Sequence, residues 1–146
     1  MFLGGTGMPL ERAHFVEIAR RHAFHEGAGD IEAVMATLDP EPEYRFYPLG
    51  LGFRGTAQAR RFYEVFVREV RPQLLGYAVH GEWLGDSGLA QEYSIEARSR
   101  DGTATTYRVL SILMFGQNGL SGECLYASEA FFRFLAGSMW QELQPV

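Results

Sequence analysis

The chain has 146 residues, of which 47% are hydrophobic and 21% charged, and its formal net charge is −5. This size and composition indicate a globular protein with a substantial hydrophobic core and exclude a disordered chain. The acidic balance disfavours a nucleic-acid-binding surface, because such surfaces carry basic patches.

The single cysteine, Cys124, excludes a disulfide framework and predicts a reducing compartment, the cytoplasm. No stretch reaches transmembrane length, so no membrane partner is expected. Residues 1–8 lack the basic region and long apolar core of a signal peptide. We expect one domain over residues 1–146, with residues 1–8 as a loose N-terminal lead-in.

Two helices are predicted at the start of the chain. Pro9 suits the first position of the first helix, and Gly27 and Gly29 suit its end. Helical spacing predicts that its inner face is formed by Phe15, Ile18, Ala19, His22 and Ala23. Asp30 is a good N-cap for a second helix running to Leu38, which the sequence Asp39-Pro40-Glu41-Pro42 is expected to end.

The stretch from Tyr44 to Val70 predicts a short strand, a turn rich in glycine and proline, and an amphipathic helix. Thr56 occupies the place expected for the N-cap of that helix. The residues predicted to face the core are Ala59, Phe62, Tyr63, Phe66 and Val70.

The second half of the chain changes to the alternating pattern of strands. Four antiparallel strands are predicted near residues 77–83, 89–97, 107–115 and 120–127, with hairpin turns at Asp101-Gly102 and Asn118-Gly119. A closing helix over residues 131–135 ends at Gly137. Helices followed by hairpins indicate an α+β fold in which one strongly curved sheet wraps around the helices.

The chain resembles the cone-shaped α+β domains of the nuclear transport factor 2-like superfamily, which includes ketosteroid isomerase, scytalone dehydratase, limonene epoxide hydrolase and the SnoaL-like polyketide cyclases. The resemblance spans residues 15–137. The motifs on which it rests are Gly29-Asp30, Phe53-Arg54-Gly55 followed by Ala59-Arg-Arg-Phe-Tyr, and Glu123-Cys-Leu-Tyr. This superfamily contains both enzymes and proteins without catalytic activity.

The resemblance implies a pocket with four mapped positions. His22 stands where the isomerases have a tyrosine, and Tyr47 stands before Pro48 where they have a catalytic aspartate. Ser111 takes the place of a protonated aspartate, and Tyr126 that of an aspartate of the cyclases and epoxide hydrolases. All four residues are polar, which favours a polar-lined cavity.

These replacements change the expected chemistry. An ordinary tyrosine titrates near a pKa of about 10 and is a poor base, whereas imidazole titrates near neutrality. His22 is therefore the predicted acid or base, Tyr47 and Tyr126 are predicted hydrogen-bond donors to a developing oxyanion, and Ser111 is predicted to orient a ligand. Aromatic residues are expected to line the pocket and favour a hydrophobic small molecule, namely Tyr44, Trp83, Tyr107 and Phe115. No cofactor or metal is expected.

Strand alternation predicts that Glu92 and Glu123 face solvent or a dimer partner, and one of them is expected to pair with Arg108. Three functions stay open. The first is a cofactor-independent isomerase, cyclase or dehydratase, the second a module that binds a small ligand without turnover, and the third a protein-interaction domain. A homodimer through the outer sheet face fits all three, because that face is otherwise an exposed apolar surface.

Overall fold

The computed structural model describes residues 10–99 and 101–146. Its helices are α1 (Leu10–Ala28), α2 (Ile31–Met35), α3 (Thr56–Val65) and α4 (Glu129–Ala136). A π-helical turn (Phe66–Val70) and a 3-10 turn (Arg71–Gln73) extend α3, and a second 3-10 segment (Gly137–Glu142) follows α4. The predicted lead-in over residues 1–8 and the position of Pro9 lie outside the described residues.

Within the described residues, seven strands form one sheet. They are β1 (Leu38–Tyr47), β2 (Leu51–Arg54), β3 (Leu74–Leu84), β4 (Gly88–Arg98), β5 (Ala104–Phe115), β6 (Leu120–Tyr126) and β7 (Gln144–Pro145). Their order across the sheet is β3-β4-β5-β6-β1-β2-β7. All neighbours are antiparallel except β1 and β6, which run parallel. The predicted α+β architecture with helices against a curved sheet is confirmed.

Helix α3 buries the face that its periodicity predicted. Its inward residues and those of the following π-helical turn are each at most 6% exposed, and they are Ala59, Phe62, Tyr63, Phe66 and Val70. They pack on aromatic residues of β1 and β2, so the opening strand, turn and helix form one wall of the core. The N-cap is Gly55 rather than Thr56. The Thr56 hydroxyl instead accepts a hydrogen bond from the backbone N–H of Glu41 at 3.2 Å.

The second helix is shorter than predicted. It ends at Met35, and Asp39-Pro40-Glu41-Pro42 lies within β1 rather than in a turn. Leu38 pairs with Leu120, but the next pair joins Glu43 to Gly122, so the two prolines lie in a bulge where no ladder hydrogen bond is required of them.

Asp39 gives this bulge a structural role. Its carboxylate accepts hydrogen bonds from the backbone N–H groups of Gln117, Asn118 and Gly119 at 2.6, 3.1 and 2.6 Å. The bulge of β1 therefore holds the hairpin turn between β5 and β6 in place.

A second bulge lies in β6. Phe115 pairs with Leu120 and Met114 pairs with Gly122, so Ser121 is an extra residue on β6. Gly122 has a φ of 141°, a conformation that side chains other than glycine rarely adopt. The extra residue reverses the faces of all positions after it, and Glu123 consequently shares a face with the buried Leu125.

Helix α1 lies against the sheet through part of its predicted face. Phe15, Ile18, Ala19 and His22 are buried as expected, but Ala23 is exposed. None of the helices in the described part of the chain combines the length and apolar character needed to cross a membrane.

Candidate functional site

The sheet has an interior face and an outer face. The interior face carries Tyr44, Tyr93, Ser111 and Glu123, and the outer face carries Trp83, Glu92, Arg108 and Tyr126. Cross-strand register supports this division, because Ala90 pairs with Trp83, Glu92 pairs with Leu110, and Leu110 pairs with Tyr126.

A chain of hydrogen bonds is buried between α1, α3 and the interior face. Nδ1 of His22 lies 2.8 Å from Oγ1 of Thr37, and Nε2 lies 3.0 Å from the hydroxyl of Tyr63. The Tyr63 hydroxyl lies 2.6 Å from that of Tyr44. His22, Tyr44 and Tyr63 are each 1% exposed, so every polar atom of this chain depends on the others for its hydrogen bonds.

His22 is neutral in this setting. Burial and, to a lesser degree, the neighbouring His25 lower its pKa from 6.5 to about 4. With 1% of its surface exposed, the ring presents almost no surface to a ligand. The predicted acid or base is therefore located behind the interior surface rather than on it.

Glu26 lies one helical turn after His22 and reaches the interior surface. Its Oε2 is 3.5 Å from Nε2 of His22, and the Glu26 side chain is 30% exposed. Desolvation nevertheless raises the pKa of Glu26 from 4.5 to about 7. Glu26 therefore keeps part of its surface accessible, although the protein around it desolvates its carboxyl group.

Glu123 comes to the same interior from the sheet. Its neighbours in register are Tyr44 on β1 and Leu113 on β5. Burial raises the pKa of Glu123 well above its usual range, and the nearby charge of Glu26 raises it further, while a hydrogen bond from Ser111 opposes this in part. The expectation that Glu123 faces solvent or a dimer partner is wrong, because the bulge at Ser121 reverses its face.

Tyrosines complete the interior surface. Burial raises the pKa of the partly exposed Tyr93 well above its usual range, and Glu123 and Glu26 add to the effect. Tyr77 on the edge strand β3 is 59% exposed and hydrogen-bonds to Gln91. Burial and the charge of Glu26 also raise the pKa of Tyr77. Both tyrosines therefore lie close to the two carboxyl groups.

No cation balances this acidic interior among the ion pairs of residues 10–99 and 101–146. The arginines in these pairs contact carboxylates elsewhere, and Glu26 pairs only with the neutral His22. Without a positive partner, the carboxyl groups favour the protonated state at higher pH than usual. The described residues contain no cluster of three or more His, Cys, Asp or Glu suited to a metal ion.

The structure places Tyr47 and Tyr126 away from His22. Their rings stack on each other with centroids 5.5 Å apart, at the paired ends of β1 and β6. Tyr126 is 44% exposed on the outer face. It lines an open groove of about 530 Å³, whose other lining residues are Trp83, Ala90, Glu92, Arg108, Val109 and Leu110. This set of residues is called the outer groove below.

The predicted ligand-lining residues are divided among several environments. Ser111 lies in the interior beside Glu123 and Tyr93, and Tyr44 lies in the buried hydrogen-bonded chain. Tyr107 packs on Phe131 and Phe134. Phe115 stacks on Phe15, and Trp83 lies in the outer groove. Of the predicted ligand-lining residues, therefore, Ser111 and Tyr44 lie beside the interior carboxyl group of Glu123.

Arg108 pairs with Glu92 on the outer face, with an Nη2–Oε1 distance of 2.8 Å. One of the two glutamates was expected as its partner, and the structure identifies which. Because this pair is partly exposed, it contributes only about 0–1 kcal/mol to stability.

Glu26, Tyr63, Tyr77 and Tyr93 were not among the site residues that the sequence predicted. Glu26 comes four residues after His22 and therefore lies on the same helix face. This spacing could have identified Glu26 from the sequence. The signal for Glu123 was hidden by the bulge, because regular alternation from Leu120 places residues 122, 124 and 126 inward instead.

Comparison with known proteins supports the fold. The sequence matches no protein-family model and no curated protein. Among solved structures, it is similar to a candidate SnoaL-like polyketide cyclase from Jannaschia sp. CCS1, with a TM-score of 0.69 and 14% identity over 91% of this chain and 99% of that chain.

Two further structures show the same likeness. A candidate isomerase from Bacillus subtilis has a TM-score of 0.68 and 14% identity, covering 89% of this chain and 96% of that chain. A protein with a ketosteroid isomerase-like fold from Catenulispora acidiphila DSM 44928, solved in complex with trimethylamine, has a TM-score of 0.61 and 11% identity, covering 79% and 88%. The resemblance predicted from sequence is thus confirmed at the level of the fold, and this chain has the nuclear transport factor 2-like, SnoaL-like fold.

Proposed function

We propose that this protein is a cofactor-independent isomerase, cyclase or dehydratase that moves a proton on a hydrophobic small molecule bound at the interior face. The observation that carries the proposal is the convergence of Glu26 and Glu123 on one partly exposed interior without a cationic partner. Two neighbouring carboxyl groups with raised pKa values are a common arrangement for acid and base catalysis.

Glu26 is suited to the transfer of a proton. A pKa of about 7 leaves it partly ionised at neutral pH, and a base or acid is most effective when its pKa lies near the working pH. As a carboxylate, Glu26 takes a proton from a carbon next to a substrate carbonyl. It then returns that proton to another carbon of the resulting enolate in an isomerisation.

Glu123 is suited to a different role. Burial raises the pKa of Glu123 well above its usual range, so this carboxyl favours its neutral form, which is able to donate a hydrogen bond. A neutral acid in this position stabilises the negative charge that develops on the substrate oxygen. This division of roles replaces the predicted one, in which His22 acted as acid or base and Tyr47 and Tyr126 as donors.

The hydrophobic character of the ligand follows from the edge of the sheet. Tyr77 and Val79 on β3 are 59% and 48% exposed, and their register partners are Ile95 and Tyr93 on the interior face. These side chains extend the interior surface as an accessible apolar rim. The names of two similar structures, a candidate isomerase and a candidate polyketide cyclase, agree with this class of reaction.

Two probes test the proposal. The first is 2-naphthol, a flat phenol that imitates an enolate, with binding followed by fluorescence. The second is a cyclic β,γ-unsaturated ketone, whose conversion to the conjugated enone is followed by ultraviolet absorbance. We expect Glu123→Gln to weaken naphthol binding at least tenfold and Glu26→Gln to slow ketone conversion on the order of a hundredfold.

Glu92→Gln is the matched control, because it removes a strand carboxylate from the outer face. Naphthol binding that is equal in the wild type and all three variants overturns the proposal. Binding that depends on Glu123 without any ketone conversion supports the alternative, a non-catalytic module that binds a small ligand.

We also propose a homodimer through the outer face. Trp83 and Tyr126 are 56% and 44% exposed beside the Glu92–Arg108 pair. An exposed aromatic groove with a charged pair at its side is typical of a surface that associates with another chain. The same groove supports the further alternative of a protein-interaction domain.

A further inference from the structure

The direction of the buried hydrogen bonds follows from Thr37. Its hydroxyl donates to the backbone carbonyl of Val34 at 2.6 Å. A threonine hydroxyl carries one proton, so it has none left for Nδ1 of His22, which lies 2.8 Å away. Nδ1 must therefore carry a hydrogen and donate it to Oγ1 of Thr37.

This assignment fixes the other side of the ring. A neutral histidine protonated on Nδ1 has a lone pair on Nε2. The Tyr63 hydroxyl, 3.0 Å away, therefore donates to Nε2, and the Tyr44 hydroxyl, 2.6 Å farther along, donates to Tyr63. All donors in this chain consequently run in one direction, from Tyr44 towards the Val34 carbonyl.

Nε2, which accepts from Tyr63, is also the ring nitrogen near Glu26. Oε2 of Glu26 lies 3.5 Å from Nε2. A lone pair repels a carboxylate oxygen and attracts the hydrogen of a carboxylic acid, so the orientation of His22 favours the protonated form of Glu26. We propose that Thr37 and His22 are a positioning pair, in which Thr37 fixes the tautomer of His22 and the unprotonated Nε2 of His22 favours the protonated form of Glu26.

The other groups around Glu26 do not compete for this role. Those close enough to interact with its charge come from α1, α3, β1, β3, β4 and β6, and they are His22, Tyr63, Tyr44, Tyr77, Tyr93 and Glu123. The tyrosines remain neutral near pH 7 because burial raises their pKa values. Of this set, His22 alone has two neutral tautomers. The choice between them therefore affects the protonation of Glu26.

The inference rests on the proposed function, in which Glu26 transfers the substrate proton, but its test needs no ligand. Nitrogen-15 NMR of the imidazole reports the tautomer of His22, and carbon-13 NMR titration of the Glu26 carboxyl reports its pKa. We expect the wild type to show a protonated Nδ1 and an unprotonated Nε2. A wild-type spectrum with hydrogen on Nε2 overturns the inference whether or not any variant folds.

Two variants are expected to shift the pKa of Glu26 in opposite directions. Thr37→Val removes the hydroxyl that accepts from Nδ1, so we expect the ring hydrogen to move to Nε2. Donation from Nε2 to the carboxylate then lowers the pKa of Glu26 by about one unit, which is a tenfold change in ionisation. In Tyr63→Phe the lone pair of Nε2 loses its donor, which leaves Glu26 as the remaining donor and raises its pKa.

Thr37→Ser is the matched control. It keeps the hydroxyl, so we expect both the tautomer and the pKa of Glu26 to stay at their wild-type values. Shifts of the same sign in Thr37→Val and Tyr63→Phe, or no shift in either, contradict the positioning role and indicate packing alone. If the NMR results agree but ketone conversion is absent, the positioning pair stands and the proposed function fails.

Discussion

Oε2 of Glu26 and Nε2 of His22 lie 3.5 Å apart, one turn from each other on α1. Burial affects the two groups in opposite ways, since it raises the pKa of the acid to about 7 and lowers that of the base to about 4. Both groups therefore favour their neutral forms between these values. The pair is a contact between a carboxylic acid and an imidazole rather than a salt bridge.

The first prediction concerns the pH dependence of stability in Glu26→Gln. The unfolded chain ionises Glu26 near 4.5, whereas the folded chain keeps its proton until about 7. Stability contributed by the neutral acid is thus complete below pH 4.5 and is lost as pH rises through 7. We expect Glu26→Gln to raise the free energy of unfolding at pH 8 by about 1–3 kcal/mol and to change it little at pH 4.

Urea denaturation at pH 4, 6 and 8 measures this difference. Glu17→Gln, an exposed change on the same helix, serves as the control and is expected to stay within about 0.5 kcal/mol of the wild type. The contribution of His22 to stability depends on pH in the opposite sense. It is present above pH 6.5 and is lost as pH falls through 4. A Glu26→Gln protein less stable than the wild type at pH 8 contradicts the prediction.

The second prediction compares two strand carboxylates. Glu123 is desolvated on the interior face without a cation, whereas Glu92 pairs with Arg108 on the outer face. At pH 8 we expect Glu123→Gln to stabilise the protein by at least about 1 kcal/mol, because the unfolded chain ionises Glu123 freely whereas the interior disfavours the charged form. Glu92→Gln is expected to be neutral or to destabilise by about 0–1 kcal/mol.

Thermal unfolding followed by circular dichroism distinguishes these outcomes. Equal melting temperatures for Glu123→Gln and Glu92→Gln at pH 8 rule out the interior position of Glu123. Repeating the measurement at pH 4 provides an internal check, because the benefit of Glu123→Gln is expected to disappear once the native acid is protonated in both the folded and unfolded states.

The third prediction tests the bulge that turns Glu123 inward. A Cβ on Gly122 would overlap the backbone carbonyl of Glu43, and its φ of 141° strains any other residue. We expect Gly122→Ala to destabilise the protein by about 3 kcal/mol or more. Denaturant titration measures the loss.

Gly27 provides the comparison for this prediction. It lies within α1, and a Cβ there meets no atom within 4 Å. Gly27→Ala is expected to be neutral or to stabilise by up to about 1 kcal/mol, because alanine favours helix. Similar losses of stability for Gly122→Ala and Gly27→Ala would count against the bulge as the feature that turns Glu123 inward.

The fourth prediction concerns association. If the outer groove forms the homodimer interface, Trp83→Ala is expected to weaken dimerisation by about 2 kcal/mol or more, roughly a thirtyfold change in dissociation constant. Sedimentation equilibrium measures this change. Phe24→Ala is the matched control, because Phe24 is an aromatic residue of α1 that is 71% exposed. A wild-type protein that remains monomeric at high concentration excludes this interface.

The hydrophobic pattern was sufficient to predict most of the fold. In α3 the side chains recur every three or four residues, and burial of that stripe follows directly from helix geometry. The four hairpin strands likewise followed from alternation and from glycine-containing turns. These are local relationships between neighbouring residues, so no knowledge of distant contacts was needed to recognise them.

The candidate site depended on relationships that are not local. Glu123 faces the interior because one extra residue, Ser121, reverses the alternation of β6, and that bulge is set by pairing with β1 and β5. The tautomer of His22 depends on where the single proton of Thr37 goes, which a distance in space decides. The sequence by itself determined which faces are apolar, whereas only the tertiary structure decided which polar groups meet, because strand register and hydrogen-bond direction are properties of the folded chain.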